Sequence, residues 1–374
     1  MAALPFYDAA AIGALNDQAV TLLGLFGGRG YVREEPSILQ PAEIFLDRSG
    51  EEIRRRTFAL TDPSGRELAL RPDLTIPICK HAVDSGVKFP ARLCYNGLAF
   101  RYQPNRPLLP TQFFQAGVEL LGLADAAAGE SEILALAFES MRAVGLPDFE
   151  LRFGDLALFG ALVDALELPA GWRERLKRHF WRAGYVETLL RRLGHGAAKA
   201  PSRAEVEARL DAETLAPPAG RTREDVIARA LEQGAEAAAL RLDPAIAGAI
   251  TKLFGISGPV EGAMREIRAL LAAAGIELDG PLTAMEARLK TIASLELDLS
   301  RVRFTAHFGR NMEYYTGFVF ELWSRDGEGP VQVAGGGRYD TLMESLGAKR
   351  PVSAIGCALR TERLLAARKF AGVA

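Results

Sequence analysis

Cysteine is scarce in this 374-residue chain, and so is any surplus of positive charge. The three cysteines, Cys79, Cys94 and Cys357, stand far apart in apolar surroundings. An odd, scattered set excludes a disulfide framework and metal-ligand spacing, and it predicts buried free thiols in a reducing compartment. The formal net charge of −2 argues against a broad nucleic-acid surface, because phosphate binding is built from clustered Lys and Arg. The four histidines, His81, His179, His195 and His307, are dispersed, and no Ser/His/Asp arrangement accompanies them. No apolar run reaches the roughly 18 residues of a membrane span. The start, MAALPFYDAA, lacks a basic stretch leading into an apolar one. No membrane association and a cytoplasmic location are therefore expected.

What remains is ordinary globular composition, with 49% apolar and 25% charged residues, in a length that suits one large domain plus a smaller one. Ala9–Phe26 has the apolar spacing of an amphipathic helix, with Gly27-Gly28 as its stop. Residues 57–60 and 67–70 read as a hairpin across Asp62-Pro63-Ser64-Gly65. Thr75 is placed to cap a helix running from Pro77 toward Val83. Leu93–Phe100 and Phe113–Leu121 read as strands, Glu130–Val144 as a helix, and Phe149–Phe153 as a strand. From about Leu156 to Leu297 the texture turns to Ala, Leu, Arg and Glu with prolines between segments, which predicts a run of helices. Its Arg-rich part, Arg173–Arg192, reads as a solvated helix face. Strand character returns at Val302–Phe308, Phe318–Trp323, Pro330–Val333 and Pro351–Leu359, and Thr361–Lys369 closes with a helix.

The most informative stretch is Arg101–Glu119, RYQPNRPLLPTQFFQAGVE. Turn formers (Pro104, Asn105, Pro107, Pro110) separate two extended runs, giving strand, loop and returning strand. Alternation puts Gln115, Gly117 and Glu119 on one face and Tyr95, Gly97, Ala99 and Arg101 on the matching face of the partner. A carboxylate, an amide, a guanidinium and two glycines with room above them suit the floor of a small polar ligand site. An exposed sheet face with incidental polar residues fits the same pattern.

The same stretch resembles the second signature motif of class II aminoacyl-tRNA synthetases, in detail that of the histidyl enzyme. Gly309-Arg310-Asn311-Met312-Glu313-Tyr314-Tyr315-Thr316-Gly317 resembles that family's histidine-specific motif. Ala334-Gly335-Gly336-Gly337-Arg338-Tyr339-Asp340 resembles its glycine-rich turn, and Arg71-Pro72-Asp73-Leu74-Thr75 the stretch that holds the α-amino group of histidine. Ile355–Arg363 resembles the third class II motif. The resemblance implies an α+β fold, a class II synthetase-like antiparallel sheet flanked by helices. It implies a core of residues 1–157 and 299–374 with a helical insertion over 158–298. It further implies a histidine pocket formed by Asp73, Thr75, Arg101, Gln115, Glu119, Arg310, Tyr314, Tyr315 and Tyr339.

Departures from the family matter as much. The synthetase loop after Arg101 is strongly basic; here only Arg106 is, with Gln103, Leu109 and Thr111 where charged residues are usual. The glycine usually found three residues before the motif's last arginine is Arg360, which fills space that a nucleotide needs. Three glycines do not make a phosphate loop without its Lys-Ser/Thr ending. No catalytic residues and no cofactor or metal are expected. The sequence stops soon after the third motif, so no anticodon-binding domain is expected. Across the core the resemblance is to the synthetase paralogues that serve as regulatory subunits of ATP phosphoribosyltransferase. That implies a short catalytic subunit as partner in a hetero-oligomer, in the family often an octamer, histidine as ligand, self-association as a dimer, and no tRNA. A divergent or truncated histidine-tRNA ligase and an amino-acid ligase of synthetase descent are the alternatives; the neutral loop and Arg360 count against both.

Overall fold

A computed structural model describes residues 5–46, 51–103, 109–166, 168–180, 183–194, 200–212, 222–239, 244–308 and 314–373. Among them the chain divides into two compact units, one of residues 1–158, 257–263 and 279–374, the other of residues 159–256 and 264–278.

The first unit is built on strands β1 (Val32–Arg33), β5 (Ala91–Phe100), β6 (Gln112–Leu121), β7 (Glu150–Asp155), β8 (Ser257–Pro259), β9 (Val302–Thr305), β10 (Phe318–Asp326), β11 (Gly329–Arg338) and β12 (Ala354–Arg360). Among the described residues they form one nine-stranded sheet in the order β1-β5-β6-β12-β11-β10-β7-β9-β8. Its centre, from β5 to β7, is antiparallel, and the β1–β5 and β7–β9 pairs are parallel. A small second sheet joins β2 (Leu39–Pro41), β4 (Glu67–Leu70) and β3 (Phe58–Thr61). The fold is therefore α+β, with the antiparallel core that the family resemblance implies.

Helix α1 (Ala9–Gly28) is long and apolar enough by composition to cross a membrane. Here its buried face, Leu15, Gln18, Leu22 and Phe26, packs inside the unit, and Gln18 donates through Nε2 to the Thr361 carbonyl at 2.8 Å. The helix runs through Gly27-Gly28 before Arg29 closes it, two residues further than the glycine pair suggests. Helix α2 (Thr75–Asp84) starts differently from the expected Thr75 cap. Leu74 is its N-cap, and Asp73 Oδ1 accepts the Ile76 N–H at 3.1 Å. Helices α3 (Ala126–Ala143), α4 (Asp279–Ser294) and α5 (Thr361–Phe370) complete the framework. The stretch around α4, placed within the helical insertion by sequence texture, belongs to this first unit.

Buried charge pins these elements together. Arg288 of α4 donates to Glu130 of α3 at 2.6 Å and to Asp155 of β7 at 2.5 Å. Arg338, at the end of β11, reaches Glu130 at 3.1 Å and Asp340 at 3.1 Å. Every carboxylate in the set has a guanidinium partner, which is what makes such a network tolerable in a dry interior.

The second unit is helical. Its core includes Phe159, Phe180 and Phe254, with ring centroids 4.6 to 5.4 Å apart, spacings at which aromatic edges and faces attract.

Candidate functional site

Strand register brings the predicted face together. Tyr95 pairs with Gly117 and Gly97 with Gln115 across β5 and β6, while Glu119 pairs with Gly356 and Gln115 with Arg360 across β6 and β12. Because side chains alternate, Gln115, Gly117, Glu119, Gly356, Ala358 and Arg360 all share one side. Asp73, just before α2, and Thr75, its first residue, come over that side, and Tyr314, Tyr315 and Tyr339 close it. Together with Arg101 and Gly335 these residues line a single cleft. Eight of the nine predicted pocket residues thus meet. The ninth, Arg310, lies outside the described residues, as do Arg106 and most of the loop around it.

The glycines do not leave ligand space in the way the sequence suggests. A Cβ on Gly117 would sit 2.4 Å from the Tyr95 hydroxyl, and one on Gly97 would sit 2.5 Å from Arg71 Nη2. A Cβ on Gly356 would lie 1.7 Å from Glu119 Oε2. The room is already taken by the site's own polar side chains. Arg71 fills its share as a structural cation, donating to the Leu98 carbonyl at 2.7 Å and to the Pro36 carbonyl. The expected glycine-rich turn at Gly335-Gly336-Gly337 is instead paired strand, part of β11, where a side chain on Gly336 would collide with the Gly356 carbonyl.

Glu119 sits at the centre, 1% exposed. It accepts from the Tyr95 hydroxyl at 3.1 Å and from the Tyr339 hydroxyl. Gln115 Nε2 donates to Tyr95 Oη at 3.1 Å, and the Thr75 hydroxyl lies 3.4 Å from the same oxygen. Burial is the main force on the Glu119 carboxyl and raises it to about 7, with the neighbouring Asp73 charge acting the same way. Hydrogen bonds from Tyr339, Thr75 and Tyr95 pull it partly back. Burial also raises Asp73, opposed first by the Arg101 charge. Both tyrosine hydroxyls are pushed well up by burial and then by Glu119, so they stay donors.

Two acceptors are left over. Asp73 Oδ2 and Gln115 Oε1 are buried and have no hydrogen-bond partner among the described residues. A dry carboxylate oxygen without a donor is expensive, on the order of 1–3 kcal/mol or more. Arg101 donates Nε to the Pro72 carbonyl at 2.7 Å, the residue before Asp73. Tyr314 packs at a tilt against Tyr315 and edge-on against Tyr339, with centroids 4.9 and 5.6 Å away. The backbone around Tyr339 is tied by its N–H to the Ala354 carbonyl and by Asp340 to the Ala354 N–H, at 2.8 and 2.7 Å. Cleft residues that sequence reasoning did not place in the pocket are Gly335, Gly356, Cys357, Ala358 and Arg360. For Gly356, Ala358 and Arg360 the signal was available in the alternation of β12 once β12 is paired with β6. Gly335 lies on β11 and Cys357 on the other phase of β12, and alternation does not point to them.

A nine-stranded sheet with this antiparallel centre and an acid- and tyrosine-lined cleft on one face defines a class II histidyl-tRNA synthetase-like protein. The family model described as histidyl-tRNA synthetase matches residues 7–223 and 212–364. The chain superposes on an ATP phosphoribosyltransferase regulatory subunit/histidyl-tRNA synthetase from Bacillus halodurans with a TM-score of 0.68, at 23% identity over 98% of this chain and 82% of that one. A histidine–tRNA ligase subunit from Alicyclobacillus acidocaldarius gives 0.61, at 23% identity over 98% and 96%. Closer in sequence is the ATP phosphoribosyltransferase regulatory subunit of Chelativorans sp. strain BNC1, 35% identical over 94% of this chain and 97% of that protein. That of Mesorhizobium japonicum is 36% identical over 94% and 98%. The chain belongs to the family of ATP phosphoribosyltransferase regulatory subunits.

Proposed function

We propose that the chain is a non-catalytic subunit that assembles with a short-form catalytic ATP phosphoribosyltransferase, supports the first step of histidine biosynthesis, and senses free histidine in the cleft described above. The regulatory role is what its relatives' names state, and it comes to this chain through about 35% identity along nearly its whole length. One observation carries the ligand: the orphaned, buried Asp73 Oδ2 beside the orphaned Gln115 Oε1. Two acceptors without donors call for a ligand rich in donors, and an α-ammonium group supplies three charge-assisted hydrogen bonds. Asp73 and Glu119 face the ammonium group, Arg101 the carboxylate, and Tyr315 and Tyr339 the imidazole; Arg310, outside the described residues, keeps only the carboxylate role that the family resemblance implies.

Adenylate formation asks for cations set against the charge that develops on phosphates. Thr111, at a position where synthetases carry a basic residue, is buried, and its carbonyl accepts the Arg101 N–H at 2.7 Å. Leu109 adds no charge. Arg360 occupies the cleft wall. A pocket that keeps amino-acid recognition without this provision suits sensing, with the complex a hetero-oligomer, in the family often an octamer.

The test is reconstitution. A short-form catalytic subunit should gain phosphoribosyltransferase activity when this chain is added and should then become sensitive to histidine. No gain in rate and no copurification of the two chains would overturn the proposal.

A further inference from the structure

Arg360 stands where the synthetase pattern has glycine, and so far it has served only to fill space. Its position gives it more to do. Register places it opposite Gln115, beside the orphaned amide oxygen, on the cleft side of the sheet. Two residues along β6 from Gln115, the Phe113 ring takes two guanidinium groups. The Arg101 carbon lies 5.3 Å and the Arg360 carbon 4.6 Å from its centroid, which bounds their separation at about 10 Å. A guanidinium lying on an aromatic ring carries its N–H donors in the plane of its edge, the geometry that meets a planar anion, which is why arginine suits carboxylates held at apolar walls. Both cations act on Asp73, holding down a carboxyl that burial pushes up. Acid and cations therefore lie close enough to feel one another within one cleft.

That arrangement mirrors the ligand. In a free α-amino acid the ammonium and carboxylate sit on one carbon, so a complementary site needs an acid and a cation side by side. Asp73 has the unpartnered oxygen for the first, and Arg101 with Arg360 provides the second.

We infer that Arg360 and Arg101 form a carboxylate clamp that makes this cleft selective for the free amino-acid zwitterion over the same molecule without its carboxylate. Arg360 is then a specificity-determining residue rather than a plug, and the inference rests on the reading of the cleft as a histidine pocket.

Calorimetric titration of the full chain with histidine and with histamine, which lacks the carboxylate, tests it. Wild-type protein should bind histidine at least about tenfold more tightly than histamine, the worth of one or two charge-assisted hydrogen bonds. Arg360→Met keeps an unbranched side chain on Phe113; it should lose about tenfold or more for histidine and stay within about threefold for histamine. Arg360→Lys should recover part of the histidine preference, because it restores the charge without the planar fork. Unchanged histidine affinity in Arg360→Met, or equal losses for both ligands, would overturn the clamp while leaving the pocket in place. A wild-type chain that binds neither ligand would overturn the pocket and the clamp together.

Discussion

Glu119→Gln isolates the electrostatic cost at the centre of the cleft. Burial moves this carboxyl from an ordinary 4.5 to about 7, the nearby Asp73 charge reinforcing the effect. A carboxyl whose folded value lies above its unfolded value holds its proton more tightly in the native state. Its contribution to stability is then greatest below about pH 4.5 and declines as pH rises to about 7. At about 1.4 kcal/mol per unit, the decline is about 3 kcal/mol. The amide of glutamine has nearly the shape of the protonated acid. Its carbonyl oxygen still accepts from one of the two tyrosine hydroxyls that meet Glu119, its NH2 acts as donor toward the other hydroxyl oxygen, and it fits the gap left by Gly356. Urea unfolding of both proteins at intervals from pH 5 to 8 would measure the difference. The variant should gain on the wild type from pH 5 to about 7 and then level off, ending about 2–3 kcal/mol ahead. A difference that stays flat with pH would refute the reasoning, because it would mean that the buried acid ionises in the native state as easily as in the unfolded chain.

Other expectations follow from particular residues. The isolated chain should show no histidine-dependent ATP–pyrophosphate exchange, given neutral Leu109 and Thr111 and the Arg360 side chain on the cleft wall; exchange above background would restore a synthetase reading. Gly117→Ala should cost on the order of 1–3 kcal/mol by overpacking against the Tyr95 hydroxyl 2.4 Å away, measured as a lower urea midpoint, and an unchanged midpoint would count against that packing. The chain should self-associate, because Val32, Ile38 and Leu39 leave apolar surface exposed (60%, 41% and 47%) along β1 and β2; sedimentation as a monomer at micromolar concentration would contradict this.

Much of the site was legible in the sequence because a strand's period is short and unforgiving. Alternation alone put Gln115, Gly117 and Glu119 on the same sheet face as Tyr95 and Gly97, and the register, Tyr95 with Gly117 and Gly97 with Gln115, places them so. What glycine meant was not legible. A missing Cβ reports that something comes close, and only the packed fold tells whether that is a ligand or, as here, Tyr95, Arg71 and Glu119. Three consecutive glycines at 335–337 read as a turn by local preference, yet sheet pairing on both sides holds them extended. The cap on α2 was misread for a related reason. Thr75 and Asp73 are both good acceptors near a helix start, and the backbone path decided that Asp73 reaches the Ile76 N–H. The strand expected over Val302–Phe308 stops at Thr305, since its pairing with β7 ends at Phe304 and its pairing with β8 at Thr305. Arg360 was seen as an intrusion because a sequence shows what a residue replaces, and its place on Phe113 beside Gln115 is a matter of register.

Histidine inhibition of the reconstituted phosphoribosyltransferase tests the central claim most directly. The complex would be assembled with wild-type chain or with Asp73→Asn, Glu119→Gln or Tyr339→Ala, and each inhibition curve scaled to that complex's own uninhibited rate. A coupling of about 1–3 kcal/mol between the cleft and the catalytic subunit predicts that these variants need at least about fivefold more histidine for half-inhibition. Three complexes that assemble and give the wild-type inhibition curve would contradict the account and place the regulatory site elsewhere.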